Sequence, residues 1–126
     1  MPEDGTGAGP AAGASAAGKG RPTISTHVLD TATGKPASGV HVTLYRLADD
    51  GRPLRLTQAL TDDDGRVRDL LERPLVAGTY RLDVALAGRE GFLERVAVDF
   101  RVDSVDRSWH VPVLISPSSA TTYRGS

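Results

Sequence analysis

The chain reads as an all-β sandwich, and three observations carry that reading. Apolar residues recur with period two over several short segments, turn signals separate those segments, and only one weak helical pattern occurs. Val40, Val42 and Leu44 alternate with His41, Thr43 and Tyr45, and Leu82, Val84 and Leu86 with Arg81, Asp83 and Ala85. Val96, Val98, Phe100 and Val102 alternate with Ala97, Asp99 and Arg101, while Val111, Val113 and Ile115 alternate with Pro112 and Leu114. One-sided alternation marks half-buried strands, because successive side chains on a strand point to opposite faces. Thr33-Gly34-Lys35-Pro36, Asp49-Asp50-Gly51, Asp64-Gly65 and Ala77-Gly78 supply the turns. Strands are therefore expected at 24–30, 40–47, 54–60, 79–86, 95–103 and 109–116, with a short one near 66–70. The helical pattern at Val67–Glu72 has no clear cap and is limited by Pro74.

The first 22 residues, MPEDGTGAGPAAGASAAGKGRP, carry no branched aliphatic and no aromatic side chain, so a disordered tail is expected there. They lack the basic start and apolar stretch of a signal peptide. Residues 23–126 remain as one small domain, and its length argues against a cleft between lobes. A net charge of -1 argues against nucleic acid, and aromatics at 5% against a base-stacking platform. No apolar run reaches the roughly 18 residues of a membrane span. With no cysteine, disulfides, thiolate metal sites and a cysteine nucleophile are excluded, and a cytoplasmic location is expected.

Few residues are left to carry chemistry. His27 lies in the first strand with Ser25 and Leu29 on its face, opposite Ile24, Thr26 and Val28. His110 opens the last long strand, and Pro112 and Leu114 share its face. A proline there belongs at an edge or an irregularity, and an outward Leu114 points to a subunit contact. Imidazoles titrate near neutrality and activate water, although isolated histidines are more often surface groups, and His41 is read as one. Arg66 follows the turn Asp62-Asp63-Asp64-Gly65, which starts its strand; an arginine there offers a bidentate fork to an oxyanion or a polarised carbonyl. The acidic run lacks the spacing of a calcium loop, and no HxH or HExxH pattern marks a metal site. Tyr123-Arg124-Gly125-Ser126 is a distinctive end to follow an apolar strand, and Gly125 permits close backbone approach.

Taken together, Ser25-Thr26-His27-Val28-Leu29-Asp30, Asp64-Gly65-Arg66, His110-Val111-Pro112 and Tyr123-Arg124-Gly125-Ser126 resemble, in this order, the 5-hydroxyisourate hydrolases, the transthyretin-related family of urate breakdown. The resemblance covers residues 23–126. It implies a sandwich of two four-stranded sheets, with the helix between the late strands short or absent here. It also implies a homotetramer whose groove between dimers binds 5-hydroxyisourate, with no metal or organic cofactor. By matching motif, the catalytic set is His27, Arg66 and His110, and Tyr123, Arg124, Gly125 and Ser126 bind substrate. The implied reaction opens the N1–C6 amide with histidine-activated water and gives 2-oxo-4-hydroxy-4-carboxy-5-ureidoimidazoline. Three departures from the family pattern stand out: a short Ala87–Gly91 connection, Phe92-Leu93-Glu94-Arg95-Val96 without the usual proline, and Ser118-Ser119-Ala120-Thr121 where aromatics are usual. Trp109 stands for the usual tyrosine. The alternatives are a non-enzymatic transthyretin-like tetramer that carries a small ligand and a monomeric adhesion-type sandwich.

Overall fold

The computed structural model describes residues 21–126. The expected disordered tail, 1–22, lies outside the described residues except for its last two. Among the described residues nine strands follow in order: β1 (Ile24–Asp30), β2 (Lys35–Pro36), β3 (His41–Leu47), β4 (Pro53–Leu60), β5 (Arg66–Val67), β6 (Gly78–Ala85), β7 (Arg95–Val102), β8 (Trp109–Ile115) and β9 (Ala120–Thr122). They form two sheets, β9-β8-β1-β2 with β5 also on β1, and β4-β3-β6-β7. The first sheet thus has five strands rather than four, because two short strands share one edge of β1. β2 takes Leu29 and Asp30, and β5 takes Thr26 and His27.

The period-two residues become the layer between the sheets. Ile24, Val28, Val42, Leu44, Leu82, Val84 and Val113 are fully buried. Thr26 is buried among them, and its hydroxyl donates to the Val111 carbonyl at 2.7 Å, which offsets the cost of its burial. No helix occurs among the described residues. At 67–72 the Asp69 carboxylate accepts the N–H groups of Leu71 and Glu72, both at 3.0 Å, as a helix cap does. Glu72 then turns left-handed at φ 54°, so the chain leaves before a second turn forms, while Leu70 and Leu71 plug the core. The connection from β6 to β7 is likewise a plain turn, closed by Leu86 N–H donating to Glu94 O at 2.9 Å.

Two features of the first sheet position the site. β8 lies parallel to β1, with His110 opposite Ser25 and Pro112 opposite His27. The proline sits in a strand that has neighbours on both sides, and alternation explains how. Trp109 N–H donates to Thr23 O, toward β1. His110 and Pro112 therefore direct their main-chain groups the other way, and β9 has already ended there at Thr122. The missing N–H of Pro112 faces a local edge, as expected of proline in a strand.

The Asp62–Gly65 turn sets β5. The Asp62 carboxylate accepts from Asp64 N–H at 2.9 Å and Arg66 N–H at 3.0 Å. Gly65 has φ 77°, and a Cβ there would collide with the Val28 carbonyl, whose own N–H donates to Gly65 O at 2.7 Å. Gly65→Ala is expected to cost about 1–3 kcal/mol from the left-handed backbone alone, read by urea unfolding at fixed protein concentration. An unchanged midpoint contradicts this account of the turn.

Candidate functional site

The candidate residues converge on the outer face of the first sheet. Ile24, Thr26 and Val28 point inward, so Ser25, His27 and Leu29 point outward and are half-buried. Paired residues on adjacent strands share a face. His110 and Pro112 on β8 therefore join that surface, and so does Arg66 on β5, which pairs directly with His27. Pro112, His27 and Arg66 form one row across three strands, and His110 lies one step diagonally from His27. An open depression on this face is lined by His27, Leu29, Pro36, Asp64, Arg66 and Arg68.

Both imidazoles are held toward their neutral forms. Burial lowers the His110 pKa first, and the positive charge of Arg66 and then His27 lower it further. His27 is lowered by burial and then by Arg66, against smaller upward influences from Asp64 and Asp62. Both values lie below the ordinary 6.5. Stability tied to the neutral rings is therefore fully present above pH 6.5 and is lost as pH falls through the folded-state values. Arg66→Gln removes the charge common to both, so both rings are expected to titrate at higher pH in an NMR titration. Unmoved midpoints contradict the electrostatic coupling.

The last residues fold back over His110. A turn at 116–119, with Ser116 N–H donating to Ser119 O at 2.9 Å, returns the chain as β9 along β8. The Thr122 hydroxyl donates to Pro112 O at 2.8 Å, and Gly125 N–H donates to His110 O at 2.8 Å. A Cβ on Gly125 would lie 2.6 Å from His110 Cδ2 and 3.0 Å from Pro112 Cγ, so glycine is what lets the main chain rest on those rings. Arg124 lies over the Trp109 ring at 5.9 Å and Arg107 lies over it at 4.1 Å. The Arg124 contact, a cation–π interaction, braces the tail. Trp109 is buried and its indole N–H donates to Ser104 O at 3.0 Å.

Of the expected residues, His27, Arg66, His110 and Gly125 thus come together. Arg124 stands beside them on Trp109, while Tyr123 and Ser126 are exposed. His41 is exposed on β3, in the other sheet, apart from the group. The Ser118–Ala120 departure falls at the end of β8 remote from His110. Among the described residues no three His, Cys, Asp or Glu side chains gather to hold a metal ion.

Ser25, Trp109 and β9 were not singled out as functional from sequence. Ser25 shares a 2.8 Å hydrogen bond with His110 Nδ1. Its place on the His27 face was readable from alternation, but the β1–β8 register that puts it against His110 was not. β9 is three residues long, too short for periodicity to register.

The sequence profile of the HIUase/Transthyretin family matches residues 24–125. The 5-hydroxyisourate hydrolase of Caulobacter vibrioides is 41% identical over 114 residues, which are 82% of this chain and 97% of that protein. The structure of Klebsiella pneumoniae 5-hydroxyisourate hydrolase superposes with a TM-score of 0.73 at 38% identity, covering 83% of this chain and 99% of that one. Sea bream transthyretin in complex with thyroxine also superposes with a TM-score of 0.73, at 27% identity, covering 80% and 92%. On the shared fold, the profile and the extent of these identities, the chain belongs to the HIUase/Transthyretin family.

Proposed function

We propose that this protein hydrolyses 5-hydroxyisourate to 2-oxo-4-hydroxy-4-carboxy-5-ureidoimidazoline in urate degradation. The observation that carries the reading is the convergence of His27, Arg66 and His110 on one sheet face, with Gly125 packed on His110. In the proposed step a water oxygen adds to the C6 carbonyl, the N1–C6 bond breaks, one water proton passes by way of imidazole to the leaving nitrogen, and the other stays with the carboxylic acid that results. His27 and His110 position the water and one of them takes its proton. Their depressed pKa values keep them unprotonated, and hence competent as bases, at neutral pH. Arg66 faces the carbonyl oxygen and stabilises the charge that develops there. Tyr123, Arg124, Gly125 and Ser126 shape the wall of the groove.

Residues 23–126 are the catalytic unit on this reading, and the assembly is a homotetramer. A single chain leaves the depression open and the tail residues Tyr123–Ser126 exposed, which is the arrangement expected of a groove closed by another subunit. The cysteine-free composition suits a cytoplasmic enzyme.

The test generates 5-hydroxyisourate in place with uricase and follows its ultraviolet decay. Addition of the protein is expected to shorten the decay in proportion to its concentration. Decay at the spontaneous rate, with a folded tetramer present, overturns the hydrolase reading and leaves a small-ligand carrier.

A further inference from the structure

We propose that Ser25 is a positioning residue that fixes the ring orientation and tautomer of His110, so that Nδ1 carries the proton and Nε2 presents its lone pair to the groove. The inference rests on the hydrolase reading for its kinetic consequence, but not for its structural content.

Two observations point to this role. Ser25 Oγ lies 2.8 Å from His110 Nδ1, and this is the one hydrogen bond of the Ser25 side chain among the described residues. The parallel register puts Ser25 directly opposite His110 on the same face, so the contact is built into the strand pairing and needs no loop. A Ser25 hydroxyl that accepts in this bond places the proton on Nδ1.

The other neighbours leave Ser25 as the group that can choose the tautomer. Arg66 on β5 and His27 on β1 are the charged and titratable groups that act on this imidazole, and both disfavour an added proton. Gly125, on the tail, packs against the ring on its Cδ2 side. In a neutral imidazole one nitrogen donates and the other accepts. Fixing Nδ1 as the donor makes Nε2 the acceptor, which is the state a general base needs before it takes a proton from water. An imidazole without such a partner divides between tautomers and swings about its Cβ–Cγ bond, so part of the population presents an N–H to the water.

The experiment compares wild type, Ser25→Ala and Ser25→Thr, each labelled with ¹⁵N-histidine. His110→Gln identifies the His110 signals. In the wild type at pH 8 His110 is expected to show a protonated Nδ1 and an unprotonated Nε2. Ser25→Ala is expected to move the ring toward the Nε2–H form and to lower kcat about 10- to 100-fold, the range for removing a partner that orients a functional imidazole. KM is expected to change little, and Ser25→Thr, which keeps the hydroxyl, is expected to restore both readouts. A wild-type His110 protonated on Nε2, or a Ser25→Ala protein with unaltered tautomer and kcat, overturns the proposal. Because the NMR readout needs no substrate, failure of the hydrolase reading shows in the wild-type decay assay and is distinguishable from failure of this one.

Discussion

His110→Ala is expected to lower turnover of 5-hydroxyisourate by about 10²- to 10⁴-fold, the usual contribution of a positioned general base. The same range is expected for His27→Asn. The two rings share one sheet face, and both are pushed toward neutrality by burial and by Arg66. A pair of neutral imidazoles beside a guanidinium is suited to deprotonating water and opposing a developing oxyanion, and no other titratable pair in the first sheet has this arrangement among the described residues. Neither substitution removes core packing, since both side chains are half-buried on the outer face, so thermal midpoints should remain near wild type. The measurement is kcat and KM in the coupled decay assay, with circular dichroism as the check on folding. If the two rings work as a unit, His27→Asn/His110→Ala should be little worse than the poorer single variant. A loss under threefold in both single variants contradicts a base role for either ring.

Much of this fold was legible because alternation is a local signal. β1, β3, β4, β6, β7 and β8 all begin and end within one residue of where period two and the turn residues put them. The sidedness of β1 was equally readable: buried Ile24, Thr26 and Val28 leave His27 facing out. What sequence pattern does not contain is pairing. Nothing local to residues 24–30 says that their neighbour is 109–115, running parallel, or that Arg66 rather than Arg68 stands opposite His27. The site is a product of those registers. His27 and Arg66 were brought to one place by family resemblance, and only the strand order gives that a physical reason. The five-strand count of the first sheet was missed for a related reason: the short strand expected near 66–70 is present as β5, but β2 and β9, two and three residues long, are too short for alternation to register and exist only as partners of β1 and β8.

The tail is expected to matter as much as the histidines. Removing residues 123–126 should reduce activity to the spontaneous rate while leaving the sandwich folded, because this segment contributes nothing to the buried core. Gly125→Ala is the sharper test. Its Cβ would lie 2.6 Å from His110 Cδ2 and 3.0–3.1 Å from the Pro112 ring. Pro112 is locked in a strand and cannot yield, so either the tail lifts away, breaking the 2.8 Å bond from Gly125 N–H to His110 O, or the imidazole turns. Either outcome misplaces a reacting group by about an ångström, a displacement that costs on the order of a hundredfold. Trp109 should report which occurs. If the tail lifts, Arg124 leaves the indole face while Arg107, at 4.1 Å, stays, and tryptophan fluorescence changes with the loss of one guanidinium. If the ring turns, fluorescence is unchanged and the His110 ¹⁵N signals shift instead. Wild-type turnover in Gly125→Ala means that the close approach of main chain to imidazole does not serve the reaction, and the tail then acts through Tyr123, Arg124 or Ser126 alone.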